Sequence, residues 1–476
     1  MERGPDWRNA RRLLGGAMAA ALVLSAAACT AAQLPSAASS TAWATESQTP
    51  SWTTQPLGPT FEASPAVTPG ADATSSYVMT PTETPTAVPV ALASVAPLPG
   101  GKWTSLHWTH VPTPQAFTKA RADLGGHLRV FGWSRGYVAF DEASPADAST
   151  NTSEIYTFSS ADGVHWQAGQ VLKFAAPIYI SGAVEGAAGL LAVGTYIPAP
   201  CGGTPDVAVA WQSTDGITWR QVAVFSVDAG NIDGGSAGYI ATGNLSRDVN
   251  AAWLSSDGAT WKHVDLTASA FKGVQAIESG TAFSGGYVLA GATLGPPGGC
   301  GGGSGALTAS LWWSADGTTW SRDSLSGTTP GDEVSMSVCR ISDHALLASE
   351  SSSNSTTAVV VSSYWTSTDG RTWRSTSLPS TVSSFPAMSV LTNGQRGLLV
   401  YPPSLNYGAD GQAAGQVVAS QIYAFEDDLS LVKLAQTGDG PDDAWANEGT
   451  TQAIGPTGLV VVSSDGSSLW FGVPGD

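Results

Sequence analysis

Ser213-Thr214-Asp215-Gly216-Ile217-Thr218-Trp219 is one of five near-copies of a single heptapeptide. The others begin at Ser160, Ser255, Ser314 and Ser367. Each keeps the Asp-Gly pair and the closing Trp: Asp162 and Trp166, Asp257 and Trp261, Asp316 and Trp320, Asp369 and Trp373. An aromatic stands four residues before each Asp, as Phe158, Trp211, Trp253, Trp312 and Trp365. The residues leading into the heptapeptide, such as Val207-Ala208-Val209-Ala210-Trp211, read as a β-strand. Asp-Gly then supplies a turn, because Gly adopts backbone angles that other residues resist. The Asp carboxylate is placed to accept N–H bonds of that turn and a bond from the Thr hydroxyl. The Trp anchors the returning strand in an apolar layer. Each heptapeptide is therefore expected to be the corner of a β-hairpin.

Successive closing Trp residues lie roughly 40 to 60 residues apart, the length of one blade in a β-propeller. A second motif counts the blades. Short apolar strands led by Gly or a small residue begin at Gly136, Gly189, Gly238, Gly286, Ala345, Gly397 and Gly458. The first five are each followed by the heptapeptide. The sixth is followed by a decayed copy from Phe425 to Leu431, with Asp428 in place of Gly and Leu431 in place of Trp. After the seventh the remaining chain allows one more strand, Leu469-Trp470-Phe471, and no fourth. The segment Trp103 to Val111 reads as an outer strand with no blade in front of it. The expectation is an all-β, seven-bladed propeller whose N-terminal strand completes the last blade, which removes the edges an open ring would expose. Ser463-Ser464-Asp465-Gly466 follows the second strand of its blade rather than the third, and is expected to be a plain hairpin turn.

The heptapeptide resembles the Asp-box, or bacterial neuraminidase repeat, in a shortened form with one residue fewer between Asp and Gly. The resemblance covers about residues 101–476. It implies that Asp162, Asp215, Asp257, Asp316 and Asp369, with Trp166, Trp219, Trp261, Trp320 and Trp373, are structural and face away from the usual binding site. Asp-box propellers include sialidases, which hold the substrate carboxylate with three arginines. Their early Phe/Tyr-Arg-Ile-Pro motif is absent, and Leu128-Arg129-Val130-Phe131 is the nearest approach. Arg340, in Val338-Cys339-Arg340-Ile341, is a second inner-strand arginine, and no convincing third is found.

Ahead of the repeats the chain changes character. Residues 1–28 read as a signal peptide, with Arg3, Arg8, Arg11 and Arg12 before an apolar run from Leu13 to Ala28 that is short for a membrane span. The run ends Ala26-Ala27-Ala28-Cys29, which resembles a bacterial lipobox, with Ala26 where Leu is usual. Cys29 is the expected lipidation site. Residues 29–100 form an Ala/Ser/Thr/Pro-rich linker, and residues 30–100 contain no Lys or Arg. Such a composition does not bury enough apolar surface to offset chain entropy, so a disordered spacer of roughly 45 Å mean span is expected. The protein is thus expected to be exported, on the outer face of the membrane as a lipoprotein or extracellular, touching the membrane through its lipid alone.

Charge narrows the partners. Lys+Arg is 20 against Asp+Glu 38, a net charge of −18. That surface repels phosphate backbones, so nucleic acid is not an expected partner. No phosphate loop, nucleophile elbow or zinc motif is present, so no cofactor and no metal are expected. His107 and His110, three apart on a strand, point to opposite faces. Asp439, Asp442 and Asp443 lack any recognised calcium-loop spacing. Cys201 and Cys300 lie in Gly-rich loops, where an exported protein permits a disulfide. Arg129, Asp233, Glu278 and Arg340 are the candidates for an inner-strand funnel. The leading expectation is a monomeric, non-catalytic propeller that binds a carbohydrate or protein partner. The alternative is a sialidase-like exo-glycosidase.

Overall fold

In a computed structural model the chain is described over residues 102–475. Left aside are 115–116, 118–126, 144–152, 175–177, 197–206, 226–227, 247–248, 295–305, 324, 355–358, 380–388, 402–403, 408–412, 442–449 and 464–465. The signal peptide, Cys29, the linker, Cys201 and Cys300 all lie outside the described residues, as do Asp442 and Asp443.

Seven sheets, antiparallel but for one added edge strand, follow one another around a ring among the described residues. Blade 1 is built from His127–Trp133, Gly136–Ala143, Ser153–Ser160 and Gln167–Phe174, in that order from the centre outward. Blade 2 begins with Ile178–Gly186, blade 3 with Asp228–Gly235, blade 4 with Val274–Phe283 and blade 5 with Glu333–Ser342. Blade 6 begins with the short strand Ser389–Thr392 and carries an extra hairpin, Ser404–Tyr407 with Ala413–Val418, between its second and third strands. The first strands of successive blades touch around the ring and enclose the central channel.

Blade 7 is assembled from both ends of the chain, as the sequence leads one to expect. Its first three strands are Thr450–Ile454, Leu459–Ser463 and Leu469–Gly475. Ser105–Val111 pairs antiparallel with the last of these, His110 opposite Trp470 and Trp108 opposite Gly472. One strand was not foreseen. Ala435–Gly438, leaving blade 6, pairs parallel on the outer side of Ser105–Val111. The N-terminal strand is therefore held on both edges, and blade 7 has five strands.

The apolar side chains form seven clusters among the described residues, one between each adjacent pair of blades. The heptapeptides complete these contacts. In blade 2 the Asp215 Oδ1 accepts the N–H groups of Ile217 at 2.9 Å and Thr218 at 2.8 Å, and the Ser213 hydroxyl accepts the Gly216 N–H at 2.8 Å. The same bonds recur around Asp162, Asp257, Asp316 and Asp369. Gly216 has φ +73°, and a Cβ there would lie 2.9 Å from Val138 and from the Ser159 hydroxyl of blade 1. Gly163 meets Phe471 and Val460 of blade 7 in the same way. Each turn is thus pressed onto the preceding blade, and glycine is needed both for its φ and for the close approach. In the decayed copy, Leu429 takes the positive φ, at 65°.

Candidate functional site

In a propeller the inner strands are the natural place for a site, because side chains from several blades converge on the channel. Asp233 and Arg340 do converge. Arg340 Nη2 lies 4.0 Å from Asp233 Oδ1 across the channel from blade 5 to blade 3. Thr281 of blade 4 donates its hydroxyl to Asp233 Oδ2, and the Gly234 N–H donates to Oδ1 at 2.8 Å. Burial raises the Asp233 carboxyl above the ordinary aspartate range, and the Arg340 guanidinium works against that rise.

Arg340 has a second carboxylate, Asp343 Oδ1, at 3.8 Å from its Nη1. Asp343 stands in the turn after the inner strand of blade 5. Its N–H donates to Gly394 O of blade 6 at 2.8 Å, and its carbonyl accepts the Ser284 N–H of blade 4 at 3.0 Å. Its Oδ1 accepts the Ser236 N–H of blade 3 at 3.0 Å. One turn residue therefore ties four blades together at this end of the channel.

The other two candidates are committed elsewhere. Arg129 Nε lies 3.5 Å from Glu142 Oε1, on the neighbouring strand of blade 1. That same oxygen accepts the Ile180 N–H of blade 2 at 2.7 Å. Burial pushes Glu142 up to about 7, with Arg129 pulling the other way. Glu278 sits at a bulge in the inner strand of blade 4. Its Oε2 accepts the Ser335 hydroxyl at 2.6 Å and the Met336 N–H at 2.8 Å, both in blade 5. Burial pushes it up to about 7 as well. These are inter-blade fastenings made by carboxylates.

Asp233 and Arg340 line a small cavity where they meet. The cavity there is about 40 Å³, lined by residues of blades 3 to 6. That is room for about three waters, far below the roughly 300–1,000 Å³ of small-molecule pockets. Glu142, Thr281 and Asp343 were missed from sequence. Asp141-Glu142 at a strand end and Ser342-Asp343-His344 in a turn look like ordinary solvated positions, and only the long-range pairing reveals otherwise.

Cys339 lies in the inner strand of blade 5, buried, with its thiol donating to Leu347 O at 3.7 Å. No group of three or more His, Cys, Asp or Glu suited to a metal occurs among the described residues. No helix among them is long and apolar enough to cross a membrane.

No protein-family model matches the chain, and no curated protein matches it. Solved structures similar to it include the WD40 domain of coronin from Toxoplasma gondii, at 9% identity over 80% of this chain and 89% of that one, with a TM-score of 0.39. The β-propeller domain of the trilobed protease from Pyrococcus furiosus is 7% identical over 74% of this chain and 95% of that one, with a TM-score of 0.38. A GH32 β-fructofuranosidase of Bombyx mori is 11% identical over 75% of this chain and 93% of that one, with a TM-score of 0.29. None of these reaches a TM-score of 0.5, and the functional reading rests on the residues of this chain.

Proposed function

We propose that the chain is an exported, lipid-anchored propeller of the Asp-box type, whose head binds a carbohydrate or protein partner without catalysis. The observation that carries this reading is the state of the two inner-strand arginines. Arg340 is held between Asp233 and Asp343, and Arg129 is held by Glu142. A sialidase needs free guanidinium forks converging on a substrate carboxylate. Here the forks face internal carboxylates, and a net charge of −18 disfavours an anionic substrate. The cavity beside Arg340, about 40 Å³, is too small for a sugar ring, which points the same way. The heptapeptide aspartates are occupied with their own turns, which supports a structural role for them.

Export and anchoring rest on the sequence from Arg3 to Cys29 and on the spacer after it. A spacer of this composition and length suits a head held away from a membrane. The test is a glycan array probed with the mature protein, read together with product release from the same glycans. Saturable binding to a neutral glycan without cleavage supports the reading. Cleavage of any bound glycan overturns it.

A further inference from the structure

The strand Ser105–Val111 completes blade 7 and is also the first part of the head that the tether reaches. The chain enters on the face that carries the heptapeptide turns. Lys102 Nζ lies 3.9 Å from Glu426 Oε2, in the decayed copy of blade 6. The Trp103 ring lies 5.1 Å from the guanidinium of Arg396, in the turn after the first strand of blade 6. The corresponding turn of blade 7, between Ile454 and Leu459, touches the heptapeptide of blade 1, where Thr457 donates its hydroxyl to Asp162 O at 3.0 Å. Ser105 is therefore the end of the strand on the heptapeptide face, and Val111 is the far end.

The strand is gripped along its length. Residues 105–111 pair with 469–475 on one edge, and residues 105–108 pair with 435–438 on the other. The ladder continues into Thr104, whose N–H donates to Gly475 O at 3.0 Å and whose carbonyl accepts the Ala435 N–H at 2.9 Å. Trp108 donates its indole N–H to Gln436 Oε1 at 2.9 Å, and His107 Nδ1 lies 3.1 Å from the Thr437 hydroxyl. Trp103, Leu106 and Trp108 are buried in the cluster that joins blades 6 and 7.

Inter-strand hydrogen bonds of an antiparallel pair lie across the strands. A pull along the strand from its Ser105 end therefore strains the whole ladder at once, on both edges, and drags three buried side chains through the core. A pull that parts Ser105 from its partner Gly475 acts differently. It opens the ladder from one end, bond by bond.

We infer that Ser105–Val111 is a shear clamp: tension between the tether and a partner held on the face away from the heptapeptides runs along this strand, so the ring stays closed while the head is pulled. The inference rests on the reading of the chain as a tethered binder and adds the path that force takes through it. A flexible spacer transmits little tension until it is drawn out, and once drawn out it turns the heptapeptide face toward the anchor.

The test is a single-molecule force measurement on the mature chain in two pulling geometries. In the first, the handles sit at the Cys29 end and at an azide-bearing amino acid in place of Lys173, an exposed residue at the far end of the outer strand of blade 1. In the second, they sit at the Cys29 end and at Asp476, beside Gly475. Forced rupture reports the unfolding barrier along the direction of pull. The first rupture should need a several-fold higher force in the first geometry than in the second. Equal forces, or a lower force in the first geometry, overturn the inference. Lipid on Cys29 alters neither force. A failed fatty-acid labelling therefore removes the membrane from the far end of the tether without touching the clamp, and equal forces remove the clamp without touching the anchor.

Discussion

Replacing Trp219 by Ala probes the way the heptapeptides hold the ring together. Trp219 is 3% exposed and belongs to the cluster that joins blades 1 and 2, beside Trp133, Val138, Phe140 and Leu172. Its ring lies 5.1 Å from that of Phe140. An aromatic of this size buries about 150–250 Å², which at about 25 cal/mol/Å² is roughly 4–6 kcal/mol. That is an upper figure, because the unfolded chain already buries some of this surface. Large-to-small changes of buried Trp cost about 3–5 kcal/mol, and Trp219→Ala is expected in that range. The indole Nε1–H has no partner among the described residues, so Trp219→Phe loses area but no hydrogen bond, and should cost under about 2 kcal/mol. The backbone bond from Trp219 N–H to Gln170 Oε1, 2.9 Å, survives in both variants. Urea unfolding of wild type and the two variants measures the differences. A cost below about 1 kcal/mol for Trp219→Ala would refute the idea that these turns fasten each blade to the one before it.

Stability should depend on pH in two opposing ways. Burial raises Glu142 and Glu278 from 4.5 to about 7, so their contribution is whole below about pH 4.5 and is lost as pH rises through about 7. Asp369 has the opposite sign. Burial pushes it up, but bonds from Thr372, Arg371 and Ser367 prevail and hold it near about 2. Its contribution is present above 3.8 and is lost as pH falls through about 2. The thermal midpoint should peak between about pH 4 and 5 and decline toward pH 8, and Glu278→Gln should flatten the decline. A midpoint that climbs from pH 5 to 8 contradicts this. Deleting residues 102–111 should lower the midpoint and promote aggregation, since it bares Leu469–Gly475 and Ala435–Gly438 together. An unchanged midpoint would mean that the ring does not depend on this strand. Metabolic labelling with a fatty acid should tag the wild type and not Cys29→Ala, and equal labelling of both removes the anchor from the proposal.

What the sequence revealed was local and periodic. The Asp-Gly turn, the Trp after it and the Gly-led second strand recur within a few residues of each other, so blade number and blade boundaries follow from repetition alone. The unpaired strand at Trp103 to Val111 signalled closure, because blade 7 was one strand short. Its parallel neighbour Ala435–Gly438 gave no such signal, since a four-residue edge has no pattern of its own. The site was legible only as a set of inner-strand positions. Which charges meet depends on register and on packing between blades. Asp233 and Arg340 are 107 residues apart, yet they meet across the channel. Arg129 instead pairs within its own blade, because the antiparallel register of Arg129 opposite Phe140 brings Glu142 within reach. Asp343 reads as a turn residue and becomes a fastening for four blades because the turns crowd together at the channel end.

The central claim is that this head binds without catalysis. The most direct measurement is release of a fluorophore from a sialoside by the purified mature protein. The account predicts no release above buffer, because Arg129 and Arg340 are already matched by Glu142, Asp233 and Asp343. Turnover that is abolished by Arg129→Ala or Arg340→Ala, in variants that remain folded, would contradict it.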